Sequence, residues 1–176
     1  MKKKLLSVAA LVLSLSFSAI SQDISLLDGD NGFLGIRFGQ DVDSVKRIIT
    51  QVPISGDETK HEELYRVTKK QYYGFATAKL KDFTLNFWEG KIDNMYIEVD
   101  AENGPIMLQE LESVYGKPTK PSPRNPIYVW QGKKVYMQMI MKANGAADIN
   151  ISSLVMKKKR EEALRKKKEA EMSGSY

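Results

Sequence analysis

Two tetrapeptides, Trp88-Glu89-Gly90-Lys91 and Trp130-Gln131-Gly132-Lys133, hold both tryptophans of the chain, and each stands inside a run of alternating apolar residues. Phe83, Leu85 and Phe87 lead into the first, and Met95, Ile97 and Val99 lead out of it. Ile127 and Val129 precede the second, and Val135, Met137, Met139 and Met141 follow it. Alternation with a period of two is the mark of a strand with one face on a core, and two such runs around a glycine turn make a hairpin. The register is the pairing that gathers the apolar residues on one face, because a slip of one residue turns every side chain over. A two-residue loop at Glu89-Gly90 sets Phe83 opposite Tyr96, whereas a three-residue loop, Glu89 to Lys91, pairs Leu85 with Met95 and Phe83 with Ile97. The same argument at Gln131 to Lys133 pairs Val129 with Val135 and Ile127 with Met137. The sequence thus predicts one three-residue loop used twice. Trp88 and Trp130 then take equivalent places on the face away from the core, with Tyr96, Tyr128, Tyr136 and Ile140 on the same side.

The front of the chain predicts where the protein works. Lys2, Lys3 and Lys4 precede an apolar run from Leu5 to Ile20, and Ala19-Ile20-Ser21 has small residues at the two positions a signal peptidase reads. This is the pattern of a secretory signal peptide over residues 1–21, cleaved before Gln22, and the run is shorter than the roughly 20 apolar residues that span a bilayer. The expected location is the periplasm or the exterior. The chain has no cysteine, so it offers no thiol for a lipid and no disulfide, and its stability must come from its core.

The formal charge of +5 is unevenly placed. Three positive charges belong to Lys2 to Lys4 and a net four to residues 157–172, which leaves residues 22–156 at −2. No basic stripe runs across the body, so nucleic acid is not an expected partner. Residues 22–32 are polar and rich in Asp and Gly and read as a flexible segment. A short strand at Phe33 to Gly39 leads into a helix capped by Asp41, with Val45, Ile48, Ile49 and Val52 on one stripe and Pro53 ending it. Tyr65 to Lys69 and Gly74 to Lys81 read as strands. A second helix starts at Asn103-Gly104-Pro105, carries Met107, Leu111 and Val114 on one face, and stops at Gly116 and Pro118. Residues 118–126 hold four of the six prolines and read as an extended connector to the second hairpin, which is followed by a last strand from Asp148 to Leu154.

The fold class this predicts is α+β: a single domain over residues 33–154 made of a duplicated helix-plus-antiparallel-sheet unit, about 33–100 and 103–154, with a charged helical tail over 155–176. Phe38-Gly39 before a capped helix, and a helix ending Tyr115-Gly116-Lys117-Pro118 before a Trp-x-Gly-Lys hairpin, resemble the small secreted bacterial proteins with tandem helix-plus-sheet repeats. These include the beta-lactamase inhibitor protein fold and the SmpA/OmlA lipoproteins of outer-membrane assembly. The resemblance implies a non-catalytic protein that presents a sheet surface to another macromolecule. The lipidated cysteine of the SmpA/OmlA members has no counterpart in this chain.

Chemistry-bearing patterns are few. His61 is the only histidine, and Tyr65 stands where a zinc-protease helix needs its second one. Asp28-Gly29-Asp30-Asn31-Gly32 alternates oxygen ligands as a calcium loop does, but Gly39 occupies the place of the distal glutamate, and the acidic run reads equally as a solvated segment. Glu89, Asp93, Glu98 and Asp100 are carboxylates of the first hairpin whose separation in space the sequence does not give. No metal site, cofactor or catalytic residue is expected. The predicted binding surface is the aromatic face, Trp88, Tyr96, Tyr128, Trp130 and Tyr136, because large rings bury much area at small entropic cost. The tail predicts a solvated helix with i, i+4 pairs, and Lys157, Lys158, Lys159, Arg160, Arg165, Lys166, Lys167 and Lys168 are the candidate contacts to an anionic surface. The function expected from all this is a secreted, non-catalytic binding or envelope-associated protein whose partner is an envelope protein or polymer. The alternatives are a hydrolase of envelope polymers and a structural subunit that oligomerises.

Overall fold

A computed structural model describes residues 24–118 and 126–173. The segment predicted to be a signal peptide and most of the proline-rich connector lie outside them. The fold is α+β, as the periodicity predicts. Its frame is a seven-stranded antiparallel sheet in the order β3-β4-β7-β8-β11-β10-β9, built from β3 (Ser55–Asp57), β4 (Glu62–Arg66), β7 (Asp82–Trp88), β8 (Lys91–Val99), β9 (Ile127–Gln131), β10 (Val135–Met141) and β11 (Ala147–Ser153). Two small hairpins, β1 (Gly32–Phe33) with β2 (Ile36–Arg37) and β5 (Gly74–Phe75) with β6 (Ala78–Lys79), stand apart from it. The helices are α1 (Ile24–Asp30), α2 (Val42–Val45), α3 (Gly104–Tyr115) and α4 (Leu154–Ser173).

One face of the sheet is the core. Phe83, Leu85, Phe87, Ile92, Met95 and Ile97 of the β7–β8 hairpin meet Val135, Met137, Met139, Ile149 and Ile151, all at most 2 % exposed. Met107, Leu111 and Tyr115 of α3 close over them, one turn apart on a single stripe. Leu27 of α1, Phe33 and Ile36 complete this layer. Residues 22–32 are therefore not a loose lead-in over their described part: 24–30 are helical, because a fully buried Leu27 fixes them to the core.

Three further expectations are corrected. The first helix ends at Val45, not at Val52. Ile49 instead bridges Val67, and Thr50 and Ile54 donate backbone N–H groups to the carbonyls of Arg66 and Leu64 at 2.9 and 2.7 Å. Pairing with β4 competes with the helix and wins, leaving Val52 69 % exposed.

The first hairpin has the predicted strand pairs, Leu85 with Met95 and Phe83 with Ile97, but reaches them by another route. Its tip is the two-residue loop Glu89-Gly90, both with positive φ (50° and 72°), as a tight turn of the hairpin hand demands. Phe87 then pairs with Ile92, and a bulge at Asp93 supplies the extra residue that restores the register.

The second hairpin departs further. Met137 pairs with Trp130 and Met139 with Tyr128, so β9 is turned over relative to the expectation. Tyr128 and Trp130 point into the core while Ile127, Val129 and Gln131 face outward. The two tetrapeptides are alike as sequence and unlike as structure.

Candidate functional site

The outer face of the sheet, opposite α3, carries the arrangement that can act on another molecule. Its side chains form rungs across the strands. Leu64, Asn86, Asn94, Ser152, Tyr136 and Gln131 make one; Arg66, Thr84, Tyr96, Asn150, Gln138 and Val129 make the next; Asp82, Glu98, Asp148, Ile140 and Ile127 make a third. Each is fixed by strand alternation, which sends the residues between them into the core.

Helix α4 covers the end of this face nearest the hairpin tips. Met156 is 6 % exposed, and Arg160 reaches across the sheet to an ion pair with Glu62 on β4 and to the Asp93 carboxylate at 3.6 Å. Glu62 is the cross-strand neighbour of Trp88, which is 7 % exposed. Asp93 also accepts a hydrogen bond of 2.8 Å from Asn86 Nδ2. Burial pushes the Asp93 carboxyl above its usual range, and the bonds from Asn86 and from the main chain only partly oppose this.

Beyond α4 the face is open. A depression of about 490 Å³ lies over the second and third rungs, floored by Thr84, Tyr96, Gln138 and Asn150 and bordered by Ile54, Leu64 and Ile140. Tyr96, Ile140 and Ile54 are each between 41 and 43 % exposed. Charges on its rim are matched: Arg66 with Asp82 at 3.0 Å, Lys142 with Asp148 at 2.7 Å, and Lys81 with Glu98 nearby at 3.1 Å. Burial of the ring lifts the Tyr96 phenol above its ordinary value; a side-chain hydrogen bond with Asn94 works against this and the Asp93 charge adds to it. The phenol is a neutral donor and acceptor at physiological pH. Such a surface can hold an extended ligand by apolar contact and amide or hydroxyl hydrogen bonds.

The five predicted aromatic residues do not come together. Tyr96 stands at the centre of the open face and Tyr136 one rung away, partly buried. Trp88 is on the outer face but covered. Trp130 is fully buried on the core side, where its Nε1–H donates to the Gly116 carbonyl at 2.6 Å, and Tyr128 packs beside the same core. Arg66, Thr84, Gln138 and Asn150, which no sequence pattern marks as a site, form most of the floor and rim. Their signal was present as polar residues alternating with the apolar ones, once the strand pairing is known.

The tail is helical from Leu154 to Ser173, beginning one residue before its predicted start at 155. Lys157, Lys158, Lys159, Lys167 and Lys168 are exposed; Arg165 pairs with Glu169 and Lys166 with Glu162, each at 3.0 Å. Arg160, expected in solvent with them, is instead the anchor of the helix.

The other acidic patterns are occupied by the protein's own donors. Asp28 accepts backbone N–H groups from Lys133 and Lys134, both at 2.7 Å, and from Val135 at 3.1 Å, while Asp30 accepts from the Tyr115 hydroxyl at 3.1 Å. Glu98 is paired with Lys81, and Asp100 accepts from the N–H and side-chain amide of Asn103 at the start of α3. His61 is exposed in a turn with positive φ (55°). Among the described residues no group of three or more His, Asp or Glu converges as metal ligands would, and no helix is long and apolar enough to cross a membrane. Compared with protein-family models, with curated proteins and with solved structures, the chain matches none.

Proposed function

We propose that this protein is exported to the bacterial periplasm or exterior, where it binds an envelope protein or polymer, without catalysis, against the open outer face of its sheet. The observation that carries the reading is the uncovered middle of that face: Tyr96, Ile140 and Ile54 remain exposed around a depression while α4 covers only the end beside it. Apolar side chains left open among hydrogen-bonding amides mark interaction surfaces more often than catalytic ones, and the nearby carboxylates are committed to ion pairs. The resemblance to beta-lactamase inhibitor protein-like and SmpA/OmlA-like proteins points the same way. Export rests on the charged and apolar pattern of residues 1–21.

A photo-reactive residue placed at Gln138, in the floor, and another at Ser113, on the exposed side of α3, test the reading in living cells. The expected result is one discrete crosslinked envelope species from position 138 and none from position 113, lost when Tyr96→Ser is added. The periplasmic protein recovered from the same cells should have an intact mass that starts at Gln22. Crosslinks only between copies of this chain would favour the oligomerising subunit. Equal labelling from both positions would remove the open face as the site.

A further inference from the structure

We propose that α4 and the β9–β10 loop beside it form a basic pole that holds the protein against an anionic lipid surface. This inference goes beyond the outer face and does not depend on it. The helix and the loop share one end of the molecule, since the Leu154 N–H donates to the Lys134 carbonyl at 2.8 Å. Three of the eight cations of α4 are committed, Arg160 to Glu62 and Asp93, Arg165 to Glu169 and Lys166 to Glu162. Lys157, Lys158, Lys159, Lys167 and Lys168 are exposed and in no ion pair among the described residues, and the same holds for Lys133 and Lys134. Clusters of about four to eight such cations on a helix suffice to recognise anionic headgroups.

The geometry makes this more than a solvated tail. Met156 and Arg160 fix the first two turns to the sheet, so the lysines that follow are held in a set direction instead of trailing from the body. The helix has no apolar face: Leu164 and Met172 are its only large apolar side chains after Met156, and both are more than half exposed. It can therefore lie on headgroups by charge but has nothing with which to insert.

Lipid is favoured over nucleic acid by the export that residues 1–21 predict, which places the basic pole among membrane surfaces and away from genomic DNA.

Flotation with phosphatidylcholine vesicles, with and without phosphatidylglycerol, tests the proposal. The readout is the ratio of binding to the two, because any contact that does not depend on headgroup charge is common to both. The expected ratio is at least about tenfold at 0.1 M salt and close to one at about 1 M, where the screening length falls from about 10 Å to 3 Å. Replacing Lys157, Lys158, Lys159, Lys167 and Lys168 together by Gln should bring the low-salt ratio close to one with an unchanged thermal transition, as all five are exposed. Glycerol phosphate at millimolar concentration should not displace the protein. A ratio near one for the wild type, an undiminished ratio for the variant, displacement by the free headgroup, or equal or tighter binding to a DNA duplex would each overturn the assignment.

Discussion

The Asp28 carboxylate accepts three main-chain N–H groups from the loop that follows Trp130, and this one side chain fastens α1 to the second hairpin. Gly132 makes the approach possible, because a Cβ at that position would overlap the carboxylate. Burial pushes the Asp28 carboxyl up, but the hydrogen bonds from Lys134, Lys133 and Val135 together outweigh it and hold it below the ordinary value. A carboxylate lowered on folding contributes stability above its unfolded value near pH 4, and loses it as the pH falls through the folded one. Asp28→Asn should therefore lower the melting temperature at pH 7 by about 5 to 10 °C, from the loss of about 2 to 3 kcal/mol of charge-assisted bonding. The gap should close in melts run at pH 2 to 3. A gap that stays constant with pH would show that the charge is not what the loop recognises. Asp93 has the opposite sign: its carboxyl is raised by burial, so the cost of its charge is present above the folded value and is relieved as the pH falls through it.

At the scale of elements, the two tryptophans separate what the repeated tetrapeptide joins. Trp130 fills the core and spends its indole N–H on Gly116, the residue that ends α3, so it couples β9 to the helix. Trp130→Ala should cost about 3 to 5 kcal/mol in chemical denaturation, through the cavity and the stranded carbonyl. Trp88→Ala removes a buried ring beside Glu62, on the opposite face of the sheet, and should cost about 3 to 5 kcal/mol. Truncation of either tryptophan without loss of stability would contradict these positions. The helix α4, which Arg160 ties to Glu62 beside Trp88, has two parts. Ending the chain after Leu164 should leave stability within about 0.5 kcal/mol, because the ion pairs it removes are solvated i, i+4 pairs. Ending it after Met156 removes Arg160, leaves Glu62 and Asp93 without their cation, and should cost about 1 to 3 kcal/mol. Equal melting curves for the two truncations would mean that the Arg160 anchor contributes nothing.

For the whole molecule, the consequence is a sheet with three kinds of surface. One face is a core closed by α1, α3 and the small hairpins. The opposite face is closed by α4 at the hairpin tips and open over Tyr96 and Ile140. The end where α4 begins is basic, while the body as a whole is slightly acidic. A ligand on the open face and a headgroup layer at the basic pole would thus engage different parts of the protein, which is why separate substitutions, Tyr96→Ser and the five lysine changes, can test them independently.

The α+β class, the core residues of β7, β8 and α3, and the tail helix could be read from the chain because they depend on local period: two for Phe83, Leu85 and Phe87, and 3.6 for Met107 and Leu111. The hairpin tips could not. Phe87 and Ile92 meet at a two-residue turn only because Asp93 bulges out, and a bulge leaves no mark in an alternating pattern. On β9 both parities are apolar or aromatic, Ile127 and Val129 against Tyr128 and Trp130, so alternation alone does not choose the buried side. That choice was made by partners distant in sequence: the Gly116 carbonyl that receives the Trp130 N–H, and the Asp28 carboxylate that shapes the loop from residue 132 to 135. The open face has the same origin. The sequence by itself determined which residues alternate, while only the tertiary structure decided which alternating set the α4 helix would cover and which it would leave to solvent, because burial is a property of what packs against a strand and not of the strand alone.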